Sequence, residues 1–135
     1  VLHMASNGIS TLDRILSRCG ALPAIQVQDR APLAPGCLFV ARPDRHLVVA
    51  DGEVHSLMGP RDNRHRPSVD VLFRSAAADF GPGVSGAVLT GSGDDGTAGL
   101  QAVRRAGGIG IVQDPEEAFA SSMPSRALEF GADYC

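Results

Sequence analysis

The residues of this 135-residue chain whose types and spacing could do chemistry gather in one stretch, Thr90-Gly91-Ser92-Gly93-Asp94-Asp95-Gly96-Thr97. It follows a short apolar run, Gly86-Ala87-Val88-Leu89, and precedes a segment with helical character. Loops at the carboxyl ends of parallel strands are where open α/β sheets place ligands and catalytic groups. Two chemistries fit the stretch. Gly91, Gly93 and Gly96 spell G-x-G-x-x-G, and Asp114 lies 18 residues after Gly96 at the end of the next apolar run. That pattern would set a dinucleotide pyrophosphate on the helix N-terminus and a carboxylate on the ribose hydroxyls. Asp94 and Asp95 oppose it, because a carboxylate about 4 Å from a phosphate charge costs about 4 kcal/mol at an effective dielectric near ~20. In the second chemistry the carboxylates act and the glycines shape the loop. A carboxylate at a strand end can fix the tautomer of a histidine, and His3 closes the other candidate strand. Together they make the base-and-orienter half of a nucleophilic triad. The backbone N–H groups of Ser92 and Gly93 can point at an oxyanion. Against both stands the plainer possibility that Asp94 or Asp95 caps the helix beginning near Thr97 and that His3 is structural. His3 and Asp95 lie 92 residues apart, which leaves the choice open.

The elements that must position these residues follow from apolar periodicity. Val1-Leu2-His3-Met4 reads as the end of a strand that begins upstream. Ser6 or Asn7 is placed to cap a helix whose apolar positions Ile9, Leu12, Ile15 and Leu16 recur at helical spacing as far as Cys19-Gly20. Strands are expected at 24–27 and 37–41, and a β-hairpin over 46–57 turning at Asp51-Gly52. Residues 59–67 form a polar, basic loop without a period. Ser68 can cap a helix with the apolar face Val69, Leu72, Phe73 and Ala76, stopped by Gly81-Pro82-Gly83. The last third alternates strand 86–89, helix 97–106, strand 109–112 and helix 125–130. The expected fold is α/β: a doubly wound, mostly parallel sheet with helices on both faces, plus the hairpin, in a single domain spanning 1–135 with no repeat or linker.

Composition bounds the function. Hydrophobic residues make up 44% and charged residues 20%, as in an ordinary globular domain. With 12 Lys+Arg against 15 Asp+Glu the formal charge is −3, which gives no global positive field for nucleic acid or an anionic membrane. No apolar run approaches the roughly 20 residues of a membrane span, so a cytoplasmic protein without membrane insertion is expected. Cys19, Cys37 and Cys135 are an odd number without a Cys-x-x-Cys, expected as small core residues in a reducing compartment. His46 and His55 have no Asp, Glu or Cys at ligand spacing, so no metal is expected. Met4 and Met123 read as gap-fillers. Arg61, Arg64, His65 and Arg66 make a local basic cluster, either a solvated loop face or a positive rim that steers acidic substrates.

Taken in order, several motifs resemble one family. Leu2-His3-Met4, Pro35-Gly36, Asp44-Arg45-His46-Leu47, His65-Arg66-Pro67-Ser68-Val69-Asp70-Val71-Leu72-Phe73, Leu89-Thr90-Gly91-Ser92-Gly93-Asp94-Asp95-Gly96, Gln113-Asp114 and Met123-Pro124 occur as in the catalytic domain of the bacterial chemotaxis protein-glutamate methylesterases, the CheB type. The resemblance spans almost the whole chain. It implies a doubly wound α/β fold, hydrolysis of glutamate methyl esters on the cytoplasmic helices of chemoreceptors, with glutamine deamidation in some members, and a Ser-His-Asp triad without a cofactor. His3 matches the general base, Asp95 the triad aspartate, Ser92 and Gly93 the loop beside the oxyanion, and Arg64 and Arg66 would form the substrate rim. The family's serine lies in a Gly-flanked turn upstream of the histidine and is absent from these 135 residues. Ser92 stands where the family usually has Met, and Ala5-Ser6 where it has prolines. Ser6 and Ser92 read as loop or cap residues rather than substitutes for the nucleophile, since neither sits on a strand-to-helix elbow. The chain is expected to be an inert, association-prone piece of an esterase whose parent could also carry a phospho-receiver domain. The alternatives are an inactive methylesterase-like module that docks on receptors, and the dinucleotide-binding domain.

Overall fold

The Asp51-Gly52 pair turns the chain as its residue types demand. In the computed structural model, which describes residues 1–4, 8 and 10–135, Asp51 (φ 54°) and Gly52 (φ 73°) are both left-handed. That is the two-residue turn whose twist matches the strands it joins. It connects β4 (His46–Ala50) to β5 (Glu53–Leu57), paired antiparallel with Ala50 opposite Glu53 and His46 opposite Leu57. On β5's other edge lies β2 (Arg30–Pro32), giving the order β2-β5-β4. β2 has no counterpart in the sequence reading: Arg-Ala-Pro shows no alternation, and a proline is tolerated only because this is an edge strand. Two further strands, β1 (Ala24–Gln26) and β3 (Leu38–Val40), pair in parallel, Ile25 opposite Phe39. α1 (Leu12–Cys19) has Asp13 in its first turn and Arg18 in its last, both favourable to its dipole. The expected Ser6 or Asn7 cap and Ile9 lie outside the described residues. Val27, Val40, Ala41, Leu47, Val49 and Val54 are buried apolar residues of this first compact unit, Val1–Ser68. Residues 1–4 form no strand, contrary to expectation, because no ladder partner flanks them among the described residues.

The second compact unit, Val69–Cys135, follows the alternation read from the sequence. α2 (Val69–Phe80) ends in a 3₁₀ turn at Gly81–Gly83. β6 (Ser85–Val88) and β7 (Ile109–Val112) pair in parallel, joined through α3 (Thr97–Arg105) as a βαβ unit. α4 (Ser122–Gly131) begins three residues earlier than expected, because Pro124 sits in its first turn where no amide partner is required. Val88 and Val112 face inward to meet Val69, Leu100, Met123 and Ala127, with Phe73 packed beside them. Ile109 and Ile111 stand on the other face of the pair and are exposed. The cysteines are not core residues: Cys19 and Cys135 are exposed and Cys37 is half-buried. No helix among the described residues is long and apolar enough to cross a membrane.

Candidate active site

The glycine loop is pinned from several sides. The Gly91 amide donates to the Ala120 carbonyl (2.9 Å), and the Met123 amide donates to the Gly91 carbonyl (3.0 Å). Gly91 lies against the Met123 sulfur so closely that a Cβ would collide with it. Thr90 Oγ1 accepts from the Ala120 amide at 2.8 Å. Gly93 is left-handed (φ 99°), and its amide donates to Ser122 Oγ at 3.0 Å. Ser92 and Asp94 are exposed.

Asp95 differs from its neighbours. It is fully buried, and its carboxylate caps a helix, though not the one it precedes. Oδ2 accepts from the Val69 amide (2.7 Å) and Oδ1 from the Asp70 amide (3.0 Å), the first two N–H groups of α2. These donors otherwise lack partners in a helix, and they carry the positive end of its dipole. The local capping expected at Thr97 is therefore replaced by capping at a distance. Asp70 reciprocates: its Oδ1 accepts from the amides of Gly96 (3.0 Å) and Gly99 (2.6 Å) at the start of α3. Burial pushes the Asp70 carboxyl above the usual carboxylate range, the Gly99 amide pulling it down and the Asp95 charge adding to the rise.

This arrangement overturns the dinucleotide reading. The α3 amides of Gly96 and Gly99 that would receive a pyrophosphate are taken by a buried carboxylate, and Gly96 is itself buried. The glycines have packing reasons instead: Gly96 is left-handed (φ 100°), and a Cβ there would lie 3.1 Å from both Val69 and Val88. Asp114 is exposed and closes a local turn by accepting from the Glu116 amide at 2.9 Å.

The other predicted residues lie in the first unit. The His3 ring stacks on His65, centroids 3.8 Å apart and planes 7° from parallel. They line an open depression with Met4, Arg61, Arg64, Arg66 and Pro67. His65 is presented by a two-residue turn closed by paired backbone bonds with Asp62 (2.8 and 3.1 Å), in which Asn63 (φ 46°) and Arg64 (φ 67°) are left-handed. Such positions favour Gly or Asn, so Arg64 is held there at a steric cost. Arg64 is exposed. Arg66 is a structural clamp: its guanidinium donates twice to Asp44 (3.1 and 2.8 Å) and once to the Gly59 carbonyl (2.6 Å). Arg61 donates to the same Asp44 Oδ1 at 3.1 Å. The Arg66 hydrogen bond holds the Asp44 carboxyl below the usual range, with the charges of Arg66, Arg61 and Arg45 acting in the same direction. His46 is buried, its Nε2 on the Pro60 carbonyl (2.9 Å) and its Nδ1 accepting from the Ser68 amide (3.3 Å), so it is an internal brace. Ser6 lies outside the described residues. Asp70 and Asp44 are the participants that residue-by-residue reading gives no role. Asp70's place in a helix's first turn is the one local signal among them.

Comparison with known proteins gives one consistent answer. The family model described as CheB methylesterase matches residues 1–135. The chain is 41% identical over 124 residues to "Protein-glutamate methylesterase/protein-glutamine glutaminase 4" of Anaeromyxobacter dehalogenans, covering 89% of this chain and 35% of that protein. It is 37% identical over 134 residues to protein 1 of the same name from Xanthomonas campestris pv. campestris, covering 96% and 37%. The chain thus spans about a third of the length of these curated relatives. The crystal structure of the Thermotoga maritima CheB methylesterase catalytic domain superposes with a TM-score of 0.90 at 31% identity, over 98% of this chain and 72% of that one. By sequence along its whole length and by fold, the chain belongs to the CheB methylesterase family.

Proposed function

We propose that this chain supplies the general base and its orienting carboxylate to the hydrolysis of glutamate methyl esters on chemoreceptors by a Ser-His-Asp mechanism. The observation that carries the reading is Asp95: a buried carboxylate with both oxygens held by helix amides, at the position that matches the family's triad aspartate. Two amide bonds from a helix N-terminus fix the plane of that carboxylate. Such a carboxylate can hold an imidazole in one tautomer and stabilise the imidazolium formed during reaction.

In the proposed sequence His3 removes the proton of a serine hydroxyl as its oxygen attacks the ester carbonyl. The tetrahedral intermediate collapses as His3 returns the proton to the methoxy oxygen, and methanol leaves. Water, deprotonated by His3, then attacks the glutamyl ester and releases the free carboxylate and the serine. With glutamine the leaving group is ammonia. Because the Gly93 amide is engaged by Ser122 Oγ, the loop's contribution to the oxyanion falls first to the Ser92 backbone. Arg64 and Arg66 are the proposed rim cations for acidic receptor helices, Arg66 also holding the loop through Asp44. The nucleophilic serine is proposed to come from polypeptide outside these 135 residues, and a phospho-receiver domain is a further proposed partner.

The test is methanol release from methylated receptor by the full polypeptide carrying this chain. His3→Ala and Asp95→Asn should each lower kcat by roughly 10³–10⁴, with the double variant no worse than the poorer single one. Activity within about tenfold of wild type in the His3 variant overturns the assignment. Receptor binding without any methanol release favours a docking module instead.

A further inference from the structure

We infer that Asp70 is a positioning residue for Asp95: its carboxylate fixes the turn from which Asp95 projects, so that the orienting carboxylate is held by an exchange of caps between two helices. The geometry stands by itself, and only the kinetic consequence rests on the esterase reading above. Asp70 is 1% exposed and takes no role in the proposed triad. An ionised carboxylate at that depth must be hydrogen-bonded. Its Oδ1 accepts two bonds, and both donors lie in the segment that carries Asp95: Gly96, the next residue after it, and Gly99, in the first turn of α3. Asp95 returns two bonds, one of them from the amide of Asp70 itself.

The exchange also answers an electrostatic problem. α2 and α3 bring their N-termini together, and each carries roughly half a positive charge from its aligned peptides. Each side chain, seated on the other helix, gives the facing amides of that encounter an acceptor. The contact is close enough that a Cβ on Gly99 would lie 2.7 Å from Phe73 Cβ and 2.9 Å from Asp70 Cα. Gly96, left-handed and boxed in by Val69 and Val88, cannot absorb a shift of the turn. Loss of the Asp70 acceptor therefore moves Asp95 rather than leaving a local gap. A displacement of about 1 Å in catalytic machinery can cost on the order of 10²-fold in rate.

The experiment compares Asp70→Ala, Asp70→Asn and Asp95→Asn in the full polypeptide, with methanol release and amide hydrogen exchange measured on each. Asparagine keeps an oxygen for both amides and removes the charge, whereas alanine removes both acceptors. Expected for Asp70→Ala is a kcat about tenfold or more below wild type with KM within about twofold, and faster exchange at Gly96 and Gly99. Asp70→Asn should recover most of the kcat and the protection. Wild-type kcat and exchange in Asp70→Ala, or an Asp70→Asn as impaired as Asp70→Ala, overturns the inference. If Asp70→Ala does not fold, Asp70→Asn decides: loss of protection at Gly96 and Gly99 in a folded protein refutes it, and retained protection with most of the kcat supports it. An Asp95→Asn variant with normal turnover refutes the esterase reading instead, while the exchange data still judge the cap.

Discussion

Gly99→Ala isolates the close approach of α2 and α3, because elementary rules disagree about its sign. Gly99 lies in the first turn of α3, where alanine is the better helix former and should gain up to about 1 kcal/mol. The added methyl, however, would sit 2.7 Å from Phe73 Cβ and 2.9 Å from Asp70 Cα. The second of these is backbone and cannot rotate away. Overpacking of this kind costs about 1–3 kcal/mol. Parting the helices enough to admit the methyl also lengthens the 2.6 Å bond from the Gly99 amide to Asp70, and hydrogen bonds to charged groups contribute about 1.5–3 kcal/mol. The losses exceed the gain, so the net effect is a destabilisation of about 2–3 kcal/mol. Urea unfolding followed by circular dichroism reads it as a lowered midpoint at unchanged slope. Ala98→Gly, one residue away on the exposed side of the helix, is the control and should lose only about 1 kcal/mol from propensity. A Gly99→Ala protein as stable as wild type, or more so, would refute the packing argument.

Two further outcomes are expected. Leu100→Ala empties a position 1% exposed at the centre of the β6, β7, α3 and α4 core and should cost about 2–5 kcal/mol in the same assay. A loss under about 1 kcal/mol would mean that the side chain is not packed as described. Asp44→Asn should loosen the Arg61 and Arg66 clamp and speed amide exchange at Asp62 and His65, whose turn follows Arg61 directly. Since the folded carboxyl titrates below its ordinary value, the unfolded chain binds the proton first as pH falls. Asp44's contribution is thus complete above about pH 4 and is lost as pH drops through the folded value. A wild-type loop whose exchange protection does not weaken at all as pH falls below the ordinary carboxylate range would contradict this.

What the sequence made legible was local. Asp51-Gly52 dictates its own turn, so the hairpin over 46–57 stands where expected. The switch of apolar period between 86 and 112 yields the β6-α3-β7 unit, because strand and helix repeats are written in consecutive residues. Partnerships across the chain were not legible. β2 has three residues without alternation and exists because β5 has an edge to pair. Asp95 reads as a helix cap, which it is, yet its helix begins 26 residues upstream, and no spacing rule selects that helix over the adjacent one. Arg66 reads as a free cation because Asp44, 22 residues away, has no motif linking it to the loop. The glycine fingerprint misleads for a related reason: steric freedom for a phosphate and steric room for a neighbouring helix are written with the same residue.

The exchange of caps ties the candidate chemistry to folding. Asp95's two bonds are also the bonds that start α2, and Asp70's two bonds start α3. A helix N-terminus left uncapped costs about 1 kcal/mol even at the surface, and a buried one with an orphaned carboxylate costs more. A substitution at Asp95 meant to remove an orienting group therefore also uncaps a helix that begins 26 residues away. An activity loss on Asp95→Ala alone could not separate the two effects. Asp95→Asn keeps one oxygen for the α2 amides while removing the charge that an imidazolium needs, so a rate loss without a matching loss of stability would isolate the chemical role. The conservative amide is the informative substitution at both carboxylates: at Asp95 it should abolish turnover, and at Asp70 it should largely preserve it. The opposite outcomes follow from one difference, that Asp95 is asked to carry a charge and Asp70 to hold a position.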